Sequence, residues 1–397
     1  MIKTMANCIK IKDQEQKKAL NAWAKAGFIG SVIAGTGFGK SRVGVIAIGE
    51  TLRRGFDRRG IVLVPTTQLQ EQFEDEFHKW GYSDVLDRVD ILCYQSAYKL
   101  QDQNYKIVVC DESHLGMSPE YRKFFENNSY DRLLCMTATP PEESEYKLLL
   151  ERLAPTVYKI TLDECVNKGL ISPYELYCIP VELTAEELID YKKINNSFVY
   201  WKYQLGQFDA FNEAKRIMSD KNASAADKQA SAQFYRAIRE RKKIVDFAAN
   251  KVSMMKQIVV KHLDRKMLVF SGANEFTDQL CSAVQPLALS YHSGIGKKAK
   301  AAAIEKFKNN EIRVLCSTKA LNHGFDVPDA DMGIICGVTS KSLSMIQRVG
   351  RLIRFQENKI GRIVILYVKD SQEEKWVKSS VKNLDNIKWL SSINDFN

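Results

Sequence analysis

Three short segments carry residue types and spacings that could do chemistry together. In Ala34-Gly35-Thr36-Gly37-Phe38-Gly39-Lys40-Ser41, glycines precede a Lys-Ser pair. The spacing is that of a phosphate-binding loop, with alanine where the first glycine usually stands. Glycines let backbone N–H groups curl around a phosphate with no Cβ in the way, and a following helix N-terminus favours the anion. Lys40 could neutralise β- and γ-phosphates and Ser41 could bind Mg²⁺. In the second segment, Asp111-Glu112-Ser113-His114 closes an apolar run. Adjacent carboxylates suit a division of labour in which Asp111 holds the metal and Glu112 orients and deprotonates a water. In the third, Gln347, Arg351 and Arg354 fall at i, i+4 and i+7 and so share one helix face. Guanidinium groups brought to a γ-phosphate from outside the loop's domain stabilise transition-state charge; a solvated basic face is the plainer alternative. The loop and the carboxylate pair together specify hydrolysis of a nucleoside triphosphate.

The elements that must position these groups are short apolar runs that stop at polar residues. Gly30 to Ala34 leads into the Gly-rich turn, Ile61 to Val64 stops at Pro65, Ile107 to Cys110 at Asp111, and Leu133 to Met136 at Thr137. Continuous apolar runs of this length are strands of a parallel sheet covered on both faces. Their alternation with helical patterns implies βαβ units, in which ligands sit at the carboxyl ends of the strands. The plan recurs in Lys266 to Phe270, Arg313 to Cys316, Gly333 to Cys336 and Arg362 to Leu366. The fold class is therefore α/β: two parallel-sheet domains in tandem, 1–176 and 177–397, with a helical segment between the sheets over 184–263. Val377, Val381, Leu384, Ile387 and Leu390 predict a C-terminal helix over 373–392.

Composition narrows the class of partner. Of 397 residues, 58 are Lys or Arg against 48 Asp or Glu, a formal charge of +10 that favours a polyanion. The 45% hydrophobic content excludes a disordered or fibrous chain. No stretch approaches the ~20 apolar residues of a membrane span. The N-terminus lacks an apolar core with a cleavage site, so a cytoplasmic protein of a prokaryote or phage-infected host is expected. None of the nine cysteines forms a C-x-x-C pair or sits at zinc spacing with histidine, consistent with reduced core thiols. Between Gly206 and Lys243 lie nine basic and five acidic residues with Phe208, Phe211, Phe234 and Tyr235 interleaved. Such a segment is either an arm that grips nucleic acid or a helical bundle with its own aromatic core.

In order along the chain, these segments resemble the motifs of superfamily 2 helicases and translocases. The phosphate loop is similar to motif I, Pro65-Thr66-Thr67 to motif Ia, Asp111 to His114 to motif II in a DExH form, and Thr137-Ala138-Thr139-Pro140 to motif III. Phe270-Ser271-Gly272 resembles motif IV, Thr318 through Gly324 to Pro328 motif V, and Gln347 to Arg354 motif VI. The resemblance implies two RecA-like domains with ATP and Mg²⁺ in the cleft between them. It implies that Gly35, Thr36, Gly37, Gly39, Lys40 and Ser41 cradle the nucleotide and that Ser41 and Asp111 hold the metal. Glu112, Lys40, Gln347, Arg351 and Arg354 would perform hydrolysis, Gly324 and Asp326 would sense nucleotide across the cleft, and Gln16 would read adenine. His114, Thr137 and Thr139 would couple hydrolysis to domain motion. Thr66, Thr67, Gln68, Tyr94, Gln95, Ser271, Gly272, His292, Thr318 and Lys319 would touch nucleic acid.

Gly169 to Tyr174 and Val181 to Glu187 resemble the inter-domain passage of XPB-like and UvsW-like DNA enzymes, and no Phe-x-x-Pro-x-x-Ile-Gln signature of DEAD-box RNA helicases precedes the loop. The compact length is similar to that of phage versions. The resemblance thus implies an ATP-dependent DNA helicase or translocase acting on single-stranded, forked or branched DNA with little sequence preference. A duplex translocase without strand separation, an RNA helicase, and a clamp that uses ATP only as a conformational ligand stand as alternatives.

Overall fold

A computed structural model describes residues 5–55, 57–138, 140–141, 144–206, 209–318, 330–338, 359–382 and 384–396. The first sheet begins after α1 (Met5–Lys25), with β1 (Ile29–Ala34), α2 (Lys40–Arg53), β2 (Gly60–Val64) and α3 (Thr67–Lys79). It continues through β3 (Val89–Cys93), α4 (Tyr94–Ala97), β4 (Asn104–Cys110), α5 (Lys123–Asn127), β5 (Ser129–Thr137), α6 (Ser144–Leu153), β6 (Thr156–Ile160) and α7 (Leu162–Lys168). The strands lie in the order β3-β2-β4-β5-β1-β6, every pair parallel. All five residues of β2 are buried, which is why its run carries no polar alternation.

The second sheet contains β7 (Tyr174–Val181), then four helices, α8 (Ala185–Gln204), α9 (Ala210–Ser219), α10 (Ala225–Asp246) and α11 (Ala249–Lys261). After them come β8 (Met267–Phe270), α12 (Asn274–Ala283), β9 (Ala288–Tyr291), α13 (Lys297–Lys308), β10 (Val314–Ser317), β11 (Met332–Ile335), β12 (Gly361–Val368), α14 (Gln372–Val381) and β13 (Ile387–Trp389). Their order is β13-β7-β12-β11-β8-β10-β9, again parallel throughout. The two-domain α/β class expected from the strand-end pattern is the one observed.

Within the helical segment α11 belongs to the second domain's layers, packing Met255, Ile258 and Val259 against Met267 and Val269, while Tyr191 of α8 and Val245 of α10 meet Val368 at the end of β12. Helices α8 to α10 form an arm with its own core of Leu205, Ala214, Ile217 and Phe234. Thr184 opens α8 with a capping box, its hydroxyl accepting from the Glu187 N–H while the Glu187 carboxylate accepts from the Thr184 N–H.

Two sequence expectations need correction. The division at 176/177 falls inside β7, whose pairing with β12 starts at Tyr174, so the second domain begins before that strand. The helix expected over 373–392 ends at Val381. Asn386 is left-handed with φ of 57°, the Asp385 N–H donates to Asp163 Oδ2 at 3.2 Å, and Ile387–Trp389 adds to β7 as an edge strand. The apolar spacing that suggested one helix is met instead by a helix, a turn and a strand, with Val377, Val381, Leu384 and Ile387 facing one core and Leu390 another.

Candidate nucleotide and nucleic-acid site

Strands β4, β5 and β1 are neighbours, so the turns at their carboxyl ends converge. The turn after β1 carries the phosphate-loop residues. Gly37 and Gly39 adopt φ of 88° and 87°, a conformation costing other residues about 1 kcal/mol. A Cβ on Gly37 would lie 2.5 Å from Ile171 Cγ2, and one on Gly39 2.4 Å from Gln16 Nε2. Lys40 and Ser41 stand in the first turn of α2. Lys40 Nζ donates to Ala34 O at 3.1 Å across the neck of the loop, holding the ammonium at the mouth of the cradle.

After β4, the Asp111 N–H donates to Leu63 O at 2.9 Å and Asp111 O accepts from the Tyr94 hydroxyl at 2.9 Å. Both bonds fix the strand end. Burial pushes the Asp111 carboxyl up, the Glu112 carboxylate pushes it further, and Lys40 pulls it back, leaving it at about 7. A carboxylate so placed gains from a nearby cation. Glu112 is left-handed with φ of 47°. At the end of β5 the buried Thr137 hydroxyl donates to Glu112 Oε2 at 3.3 Å, and His114 Nδ1 lies 3.2 Å from the same hydroxyl and 3.5 Å from Glu112 Oε2. Glu112, His114 and Thr137 thus form one hydrogen-bonded cluster, and the phosphate-loop residues occupy the adjacent strand end. The glycine cradle, the ammonium at its mouth and the desolvated carboxylate fit a nucleoside triphosphate with a divalent cation.

Gln16 reaches this loop from α1, but its amide is spent on the protein. Nε2 donates to Phe38 O at 2.8 Å and Oε1 accepts from Arg42 Nη1 at 3.0 Å. Arg42 also pairs with Asp13 and lies 4.0 Å over the Trp80 ring. Asp13 of α1, Arg42 of α2 and Trp80 just after α3 brace the loop, and the sequence gives no sign of them because residues this far apart carry no local motif. Gln347, Arg351, Arg354, Gly324, Asp326, Lys319 and Thr139 lie outside the described residues.

The expected nucleic-acid contacts divide. Thr67, Gln68 and Gln95 are exposed at the ends of the neighbouring strands β2 and β3, and Gly272 is half-exposed after β8. Thr66 caps α3 with a buried hydroxyl that has no hydrogen-bond partner. Four expectations are corrected by burial. Tyr94 is 2% exposed with its hydroxyl on Asp111 O. Ser271 is fully buried, its hydroxyl 2.6 Å from that of Thr277. His292 is 4% exposed, with Nε2 3.0 Å from Asp278 Oδ1 and Nδ1 accepting from the Gly294 N–H at 3.1 Å. Thr318 is buried at the end of β10. These side chains shape the turns and are not available to a strand lying across them.

All nine cysteines are buried and none is in a disulfide, and among the described residues no His/Cys/Asp/Glu cluster could hold a metal on its own. Nor, among them, is any helix long and apolar enough to cross a membrane.

Comparison with known proteins agrees with this geometry. Residues 10–142 match the family described as Type III restriction enzyme, res subunit, and residues 250–356 match the Helicase conserved C-terminal domain. The chain is 24% identical to the DNA 3'-5' translocase XPB2 of Sulfurisphaera tokodaii, covering 90% of this chain and 82% of that one. It is also 24% identical to a 51.5 kDa protein of a Lactococcus phage, covering 83% of this chain and 63% of that protein. Among solved structures, the Pyrococcus furiosus Hef helicase domain superposes with a TM-score of 0.56 at 15% identity, covering 92% of this chain and 97% of that one.

Proposed function

The chain belongs to the superfamily 2 helicases, with XPB-like and phage relatives, and from that premise we propose that it is a Mg²⁺-dependent ATPase that drives movement along DNA, remodelling forked or branched substrates. The observation that carries the hydrolytic half is the convergence of Lys40, Asp111, Glu112 and Thr137 at three adjacent strand ends. When ATP is bound, magnesium supplies positive charge to the phosphate oxygens. The chain's own residues do the rest. The glycine turn and Lys40 hold the β- and γ-phosphates, with Ser41 and Asp111 as the metal-holding pair. Glu112, steadied by Thr137 and His114, takes the proton of a water whose oxygen bonds to the γ-phosphorus as the β–γ bridge breaks, leaving ADP and phosphate. Arg351 and Arg354, with Gln347, supply charge to the γ-phosphoryl from the second domain.

The DNA preference is supported by the XPB-like relative and by the basic arm, with Thr67, Gln68, Gln95 and the Gly272 turn as backbone contacts that position a strand without reading its bases. Steady-state ATPase, measured without nucleic acid and with single-stranded, duplex, forked and four-way-junction DNA and single-stranded RNA, tests both halves. Lys40→Ala and Glu112→Gln should each abolish turnover while leaving the fold intact, and forks or junctions should stimulate most. Near-normal turnover in both variants would sink the hydrolytic assignment, and stimulation by RNA alone would replace the substrate.

A further inference from the structure

The first turn of α14 joins parts of the second domain that the nucleotide site does not explain. Lys251 of α11 and Glu373 of α14 are both fully buried and paired, Nζ lying 2.8 Å from each carboxylate oxygen. Their remaining hydrogen-bonding capacity is met from the ends of two strands. Lys251 Nζ donates to Cys336 O at 3.0 Å, and Glu373 accepts from the Val338 N–H at 3.2 Å and the Val368 N–H at 2.8 Å. A buried ion pair is often no more stable than an apolar pair of the same size, so stability alone is a weak reason for it. Its geometry ties the carboxyl ends of β11 and β12 to one helical turn. In sequence, Val338 leads into 339–358, where Gln347, Arg351 and Arg354 lie.

The preceding residue faces the arm. Gln372 Oε1 accepts from the Tyr191 hydroxyl of α8 at 2.8 Å and from Arg241 Nη2 of α10 at 2.8 Å. The Arg241 guanidinium also lies 4.1 Å over the Phe198 ring, so it bridges α14 and the arm's aromatic face. Two consecutive side chains on one helical turn therefore grip the arm and the strand ends.

We propose that Gln372, backed by the Glu373–Lys251 pair, is a positioning residue that carries nucleic-acid occupancy of the arm to the strand ends from which the arginine segment departs. The inference rests on the reading of the chain as a nucleic-acid-stimulated ATPase. Nucleic acid that shifts α8 and α10 must strain or relieve the two bonds on Gln372, and the adjoining ion pair passes that shift to β11 and β12.

The test uses the full chain, with ATPase measured in the absence and presence of saturating forked DNA and DNA affinity measured separately by fluorescence anisotropy. In Gln372→Ala the basal kcat, the KM for ATP and DNA affinity should stay unchanged while the DNA-stimulated kcat falls about 3- to 20-fold. Gln372→Glu keeps an acceptor oxygen for both donors and should restore stimulation. Tyr191→Phe removes a single hydroxyl, gives a partial loss, and carries the test if Gln372→Ala does not fold. Full stimulation in both Gln372→Ala and Tyr191→Phe would overturn the inference. So would equal loss of basal and stimulated turnover, or a loss that simply tracks weaker DNA binding. A native protein that no nucleic acid stimulates would remove the underlying reading and the inference with it. That result is distinct from a stimulated native protein whose variants respond equally.

Discussion

Glu15, the neighbour of Gln16 on α1, fixes how that helix meets the nucleotide site. Burial pushes its carboxyl up, but hydrogen bonds from Lys168, Lys18 and Tyr158 outweigh burial and hold it at about 2. A carboxyl depressed below its ordinary 4.5 stabilises the fold above that pH and loses the contribution as pH falls toward 2. Glu15→Gln should therefore lower unfolding free energy by about 1–3 kcal/mol at neutral pH, with the difference from the native protein vanishing near pH 2 in urea titrations. Thr137 offers a catalytic counterpart, since its hydroxyl bridges Glu112 and His114. Thr137→Val, which keeps the shape, should lower kcat about tenfold with little change in the KM for ATP, as read from steady-state kinetics. At this scale the sequence is legible where function is packed into a few consecutive residues, as in Gly35 to Ser41 or Asp111 to His114. Glu15 answers to Tyr158 and Lys168, and Asp13 to Arg42, across distances that no local pattern records. Tyr94, Ser271 and His292 sit in the expected turns, yet their orientation is decided by neighbours such as Asp111 O, Thr277 and Asp278.

Central strands announce themselves and edge strands do not. The runs legible as apolar, in β1, β2, β4, β5, β8, β10, β11 and β12, all lie inside their sheets. The strands without such a run include the four at the edges: β3 and β6 in the first sheet, β9 and β13 in the second. One flank of each faces solvent, so polar residues intrude, as in Thr156-Val157-Tyr158-Lys159-Ile160. The C-terminal helix was misread for a related reason, because the spacing of Leu384, Ile387 and Leu390 records only that these residues face a core. Past β13, Phe396 is 1% exposed with its ring 4.9 Å from Tyr177 and 5.3 Å from His262. Phe396→Ala should cost about 3–5 kcal/mol in chemical denaturation while leaving the first sheet's nucleotide site in place.

Across the whole molecule the +10 charge sets how a polyanion is held. If contacts run mainly to phosphates, affinity for single-stranded DNA should fall by about 100-fold or more between about 50 and 200 mM salt. Two strands of unrelated sequence should bind alike in anisotropy titrations; a strong sequence preference would point to base contacts that the strand-end turns do not offer. The all-parallel pairing has a further consequence, for the order in which the protein can be made. Every strand of the first sheet has left the ribosome once Ile160 has, so that sheet can close early. The second sheet cannot, because β7 takes its partners from Gly361–Val368 and Ile387–Trp389 at the far end of the chain. Through most of synthesis β7 waits with both edges bare while the arm and the remaining strands emerge. Loop-closure entropy is then met last and at long range, which makes this domain the slow one to fold. A nascent chain halted before Gly361 should already resist protease over the first sheet and remain open to it over β7.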